Sequence, residues 1–274
     1  TPAEYSFTVG KKELKAPGCD HPDDNYSVAS PNRPLIEVSL DSEILVLNSG
    51  CSKDMAGLLN KIKEKFNLRD PFATIDLFTK YPVLIIPTGG LIGIETSKVV
   101  KNNLEEYVRQ GGTLICFAQQ HGYEFSLLPG NEIEGFGWTE DQSCHNQAVY
   151  IGTPSVIFAG QTKNILDASV DGYFTRWPQN ATTFLNRTKN HLPSMIMYPY
   201  GKGWVVATTI YADWGFTYDQ STNDETILVR DLLAWARQPE KTIPELKPGE
   251  TINIPVNIIN ATTTISADKI ILKI

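Results

Sequence analysis

The chain has 274 residues, 41% hydrophobic and 20% charged, the composition of a folded protein with a sizeable core, which excludes disorder and collagen-like repeats. Acidic residues (31) outnumber basic ones (24), the formal net charge is −7 and no Lys/Arg block occurs, which argues against nucleic acid or an anionic membrane surface as partner. No run approaches the roughly 20 apolar residues that cross a bilayer, so no membrane insertion is expected. The start, Thr1-Pro2-Ala3-Glu4, lacks signal-peptide features and reads as cytosolic or as a mature, trimmed form.

Residues 1–40 are proline-rich and carry the polar cluster Cys19-Asp20-His21-Pro22-Asp23-Asp24-Asn25, with short extended stretches at 5–9 and 35–38; they read as an N-terminal arm on a larger body. The body, 41–238, opens with the aliphatic run Ile44-Leu45-Val46-Leu47, a polar turn, and a helical pattern of Met55, Leu58, Leu59, Ile62 and Phe66. Strands are expected at 73–78 and at Val83-Leu84-Ile85-Ile86, the latter a continuous apolar run of the kind covered on both faces. A helix over about 96–110, stopped by Gly111-Gly112, leads into a strand at 113–118. Alternating strands and helices with short loops predict a mostly parallel sheet with helices on both faces. Between 119 and 194 the pattern weakens into short extended pieces at 148–151, 156–158 and 181–185. Strands at 195–198 and 204–210, joined by Pro199-Tyr200-Gly201-Lys202-Gly203, predict a hairpin, and a helix over 225–237 closes the body. Residues 239–274 read as a proline-marked linker and alternating β strands, the start of an immunoglobulin-like or similar all-β module.

Cys116 lies inside an apolar run and reads as a buried strand residue. Cys19, Cys51 and Cys144 sit among turn formers, and two of the three can meet in a disulfide; none has C-x-x-C spacing, which argues against structural zinc. Triplets of the Asn-x-Ser/Thr form at Asn25, Asn180, Asn186 and Asn260 fit a secreted chain, but arise by chance in Asn- and Thr-rich sequences as well.

Three phrases, Leu84-Ile85-Ile86-Pro87-Thr88-Gly89-Gly90, Leu104 through Gly111-Gly112-Thr113-Leu114, and Tyr200-Gly201-Lys202-Gly203 through Thr208, resemble the class I glutamine amidotransferase-like fold over roughly 41–238. Within it, the order of elements is similar to the non-catalytic accessory type, including the trimerisation domain of some β-galactosidases. The resemblance implies a flavodoxin-like α/β body. Active members carry a cysteine on the sharp turn after the strand at 113–118, with a later histidine as its base. This chain reads Phe117-Ala118-Gln119-Gln120-His121-Gly122 there and Tyr211-Ala212-Asp213-Trp214-Gly215 after the hairpin, so glutamine hydrolysis by that route is not expected.

His121, at the ligand-binding edge of such a sheet, with Glu124 and Asp213 forms either a small acid/base or weak metal site or an ordinary loop with a hydrogen-bonded histidine. Gln119, Gln120, His121, Trp138, Trp177 and Trp214 are candidate ligand contacts, the aromatic faces among them suited either to filling a core or to stacking on a sugar. Asp20, Asp23 and Asp24 are either a Ca²⁺ loop or a solvated acidic one. The loop Thr88-Gly89-Gly90-Leu91-Ile92-Gly93 lacks both G-x-G-x-x-G and a P-loop Lys, so no nucleotide and no cofactor is expected. The expected role is an interaction, assembly or carbohydrate-recognition domain of a larger secreted or cell-surface protein, partnered by its other domains or by copies of itself. The competing expectation is a hydrolase acting on a glycan or peptide through His121, Glu124 and Asp213, and the competing compartment is the cytoplasm.

Overall fold

A computed structural model describes residues 42–142 and 149–238. The arm with Asp20, Asp23, Asp24 and Cys19, the stretch holding Cys144, and the C-terminal β segment lie outside the described residues.

Two wholly apolar quartets, Ile44–Leu47 and Val83–Ile86, lie side by side in the parallel half of the sheet. β1 (Ile44–Leu47) is followed by α1 (Ser52–Lys61), β2 (Phe66–Arg69), α2 (Ile75–Phe78), β3 (Val83–Ile86), α3 (Lys98–Arg109) and β4 (Thr113–Cys116). β5 (Glu134–Phe136), β6 (Val149–Ile151), β7 (Ile165–Leu166), β8 (Tyr173–Arg176) and β9 (Thr182–Arg187) occupy the irregular middle. The hairpin of β10 (Pro193–Tyr200) and β11 (Gly203–Thr208), then α4 (Ala212–Thr217) and α5 (Asn223–Ala236), complete the order. The main sheet runs β2-β1-β3-β4-β11-β10-β9-β6-β7: its first five strands are mutually parallel and the rest antiparallel, while β5 and β8 pair separately.

Successive residues of a strand point to opposite faces, and that rule divides the core in two. Ile44, Val46, Val83, Ile85, Ile115 and Val206 face a layer made by α1 and α5, through Met55, Leu58, Leu228, Leu232 and Trp235. Leu45, Leu47, Leu84, Ile86, Leu114 and Cys116 face the other side, where α3 supplies Val100, Leu104, Tyr107 and Val108. Helices therefore cover both faces, as the quartets of β1 and β3 demand.

The structure corrects several expected elements. α1 stops at Lys61, because Lys63 adopts φ = 63° and the backbone N–H of Glu64 turns back to Leu59 O; Phe66 thus begins β2 instead of ending a helix. Residues 75–78 form a short helix and not a strand, since both sides of β1 are already taken by β2 and β3. The piece at 156–158 is a single 3-10 turn started by the Ser155 hydroxyl, and α4 forms where a loop was expected. The hairpin is as expected, with Gly201 at φ = 60°.

Candidate functional site

The loops leaving β1, β3, β4 and β11 meet at the C-terminal edge of the parallel strands, where ligands of open α/β sheets bind. Here the loops bind one another. The Cys51 N–H donates to Thr88 O (2.8 Å), the Ser49 hydroxyl to Gly90 O (2.8 Å), the Gly89 N–H to Ala118 O (2.8 Å) and the Ala118 N–H to Ile210 O (3.1 Å). Gln119, wholly buried, accepts from the Leu91 N–H at 2.9 Å and donates through Nε2 to Phe117 O (2.9 Å) and Pro87 O (3.2 Å). Asp213 ties the first half of the sheet to the second: its carboxylate accepts from the Thr88 N–H (2.9 Å), the Thr88 hydroxyl (2.5 Å) and the Trp214 N–H (2.9 Å).

Above these bonds, Cys51, Ala118, Trp138, Tyr211 and Trp214 form a small apolar cluster joined by Ile92. Trp138 and Trp214 are each 1% exposed, so at these two positions, which the sequence leaves open between stacking on a sugar and filling a core, the rings fill the edge from within. Trp177 is half-buried against the second core layer, Gln120 is half-buried, and Gln119 serves as a bridge between loops. Gly89 (φ = 67°) belongs to the same packing, because a Cβ there would sit 3.2 Å from the Trp138 ring. Gly89 thus leaves room for the Trp138 indole.

The turn after β4 does not have an elbow's geometry. Among the described residues the non-glycine positions with positive φ are Lys63, Asn131, His191 and Asp219, none of them within 117–121. A nucleophile elbow needs that strain to present its side chain. Cys116 is wholly buried, and burial, with Glu124 nearby, pushes its thiol well above the ordinary range. Cys51 is a free, buried thiol raised by burial and by the carboxylates of Asp213 and Asp54. Neither is a ready thiolate.

The structure brings His121 and Glu124 together through the backbone, and gives Asp213 other partners. Asp213 is held by Thr88. Glu124, buried, accepts from the His121 N–H at 3.0 Å and so caps the 3-10 turn Gly122–Leu127. The His121 imidazole pairs with Glu140, Nδ1 to Oε1 at 2.6 Å, and Glu140 is fixed in turn by the N–H groups of Gly137 (2.7 Å) and Gly122 (3.3 Å). Sequence reasoning missed Thr88 and Glu140 as the partners of Asp213 and His121, because neither pairing is local in sequence. Among the described residues no group of three or more His, Cys, Asp or Glu is arranged to hold a metal ion.

Burial raises the carboxyl of Asp213 to about 6 against the pull of its Thr88 bonds, and those of Glu124 and Glu225 to about 7 against their backbone donors. A carboxyl raised on folding keeps its proton in the native state after the unfolded chain has lost it. Its stabilisation is complete below the unfolded value near 4 and disappears as pH rises through 6 to 7. Each group contributes a slope of up to about 1.4 kcal/mol per pH unit in that window. Urea titrations should therefore give a higher unfolding midpoint at pH 5 than at pH 7.5; the reverse order would overturn the assignment.

No family model matches the chain, and no curated protein does. Solved structures match over most of it. A putative ThuA-like protein from Bacteroides uniformis aligns with TM-score 0.54 and 11% identity, over 75% of this chain and 96% of its own. PurLQS from Thermotoga maritima aligns at 0.53 and 11%, over 72% and 99%. A putative GMP synthase protein from Thermoplasma acidophilum aligns at 0.52 and 10%, over 70% and 92%. The chain shares with them an amidotransferase-like α/β fold, and at these identities the likeness is one of fold alone.

Proposed function

We propose that the chain is a non-catalytic interaction, assembly or recognition domain of a larger protein. The observation that carries this reading is the closed C-terminal edge: four loops bonded to one another, an apolar cluster over them, and no nucleophile on the turn after β4. Binding energy that an enzyme of this fold would direct at a substrate is here directed at the protein's own loops. The finer parts of the proposal, assembly like that of a trimerisation domain and an extracellular setting, rest on the sequence resemblance. No helix among the described residues is long and apolar enough to cross a membrane.

The hydrolase reading has one favourable observation, the partly exposed His121–Glu140 pair, which has the form of a base and its orienting carboxylate. Turnover of glutamine, p-nitrophenyl acetate, p-nitrophenyl glycosides and casein decides between the two. The expected result is no hydrolysis above that of His121→Ala with any of them. Hydrolysis that falls about 100-fold or more in His121→Ala, the loss typical of a missing general base, would overturn the proposal.

A further inference from the structure

Three segments of the irregular middle are pressed together without side-chain spacers. A Cβ on Gly122 would lie 1.8 Å from Gly135 O, one on Gly135 2.3 Å from Tyr173 O, and one on Gly172 2.2 Å from Phe136 O. Backbones approach this closely only where glycine occupies each contact. The result is a concentration of rings on adjacent segments. His121 and Tyr123 stack with centroids 5.0 Å apart and planes inclined by 13°, and Phe136 and Tyr173 meet edge to face at 4.9 Å across the β5–β8 pair.

These rings are exposed where the tryptophans are not. Tyr123 is 56% and Phe136 38% exposed, and Tyr173 and His121 are half-buried. Among the described residues the other exposed large apolar side chains, Val99, Ile165 and Tyr218, lie on α3, on β7 and at the end of α4. The exposed apolar surface here is aromatic, and its polar groups are fixed: Glu140 is held by two backbone N–H groups and by His121.

We propose that His121, Tyr123, Phe136 and Tyr173, with Glu140 at their side, form a binding platform for a neutral glycan; the proposal rests on the reading above that the chain recognises its ligand and does not transform it. The chemistry is complementary. Ring faces stack on the C–H faces of a pyranose, and a carboxylate and an imidazole exchange hydrogen bonds with its hydroxyls. Because each ring is already paired with a neighbour, little side-chain freedom is lost on binding. Charge selects the class of glycan. Glu95 and Glu140 both act on the Tyr123 phenol, and Arg176 beside β5 is already paired with Glu134 at 2.7 Å, so the field here is negative and opposes sulfated or phosphorylated ligands.

Affinity electrophoresis in native gels containing barley β-glucan, xylan or galactomannan tests this, with heparin as the anionic probe and fluorescence polarisation of a lysine-rich peptide as the cationic one. The expected result is retardation by at least one of the three neutral polysaccharides and none by heparin. Tyr123→Ala and Phe136→Ala should each weaken retardation about tenfold or more, the scale of a truncated contact at the centre of a binding surface, and Ile165→Ala should leave it unchanged. A thermal melt of each variant establishes that it is folded, and Tyr173→Ala replaces any that is not. Retardation by none of the three, or retardation unchanged in Tyr123→Ala and Phe136→Ala, overturns the platform. Binding confined to the lysine-rich peptide also overturns it and makes the patch a protein-docking surface. All of these outcomes leave the non-catalytic reading standing, since none of them measures turnover or the closure of the sheet edge.

Discussion

Asp213→Ala is expected to lower stability by about 4 kcal/mol, seen as a fall of about 8–16 °C in the thermal midpoint for a folded unit of this size, with no effect on any catalytic readout. The carboxylate serves three donors at once, two from Thr88 and one from Trp214, in a place with no exposure to water. Removing it leaves those donors buried and unpaired, each at about 1–3 kcal/mol, and opens a void beside Trp214. Thr88→Val removes only the hydroxyl donor and should cost about 1–2 kcal/mol. Because the two residues share bonds, the double variant should be less destabilised than the sum of the singles. An Asp213→Ala protein that melts within about 2 °C of the parent would show that the loops are not held by this carboxylate. One that melts normally but loses a hydrolytic activity would restore Asp213 to the acid/base role.

The bond between Asp213 and Thr88 also shows where sequence reasoning stops. The residues are 125 positions apart, and nothing near either of them encodes the pairing. What the sequence does encode is local or periodic. The quartets Ile44–Leu47 and Val83–Ile86 announce strands buried on both faces, and the structure divides each between two core layers. Gly111-Gly112 announces the end of α3 for two physical reasons: Gly111 takes φ = 118°, and a Cβ on Gly112 would lie 2.3 Å from the Tyr107 ring.

Residues 73–78 misled because a hexapeptide with four apolar residues suits a strand or a helical turn equally well. The choice was made elsewhere, by β2 and β3 filling both sides of β1. The aromatic residues were left open for a similar reason. Trp138 and Phe136 are two positions apart, yet one is sealed over Gly89 and the other looks outward, and identity alone does not separate a ring that fills a core from one that meets a ligand.

The other large effect is expected at Gly50→Ala, a change of one methyl group. Gly50 has φ = 52°, but that angle by itself tolerates a side chain: Lys63, Asn131, His191 and Asp219 adopt φ between 53° and 63° in the same protein. Such a conformation costs a non-glycine residue about 1–2 kcal/mol. The decisive constraint is space. A Cβ at position 50 would lie 2.4 Å from Thr88 O and 2.5 Å from both Gly89 C and Gly90 N, all backbone atoms that have no rotamer to move away. To admit it, the loops after β1 and β3 must separate. That breaks the Cys51 N–H bond to Thr88 O and the Ser49 hydroxyl bond to Gly90 O, and withdraws Thr88 from Asp213. The summed loss should exceed about 4 kcal/mol, in the range reserved for disrupted cores and networks. Native-state hydrogen exchange should show early opening at the amides of Cys51, Thr88, Gly89 and Ala118, while those of α3 keep their protection. If Gly50→Ala costs only the 1–2 kcal/mol of its backbone angle and these amides stay protected, the edge is not closed as described, and the case for a sealed, non-catalytic site falls with it.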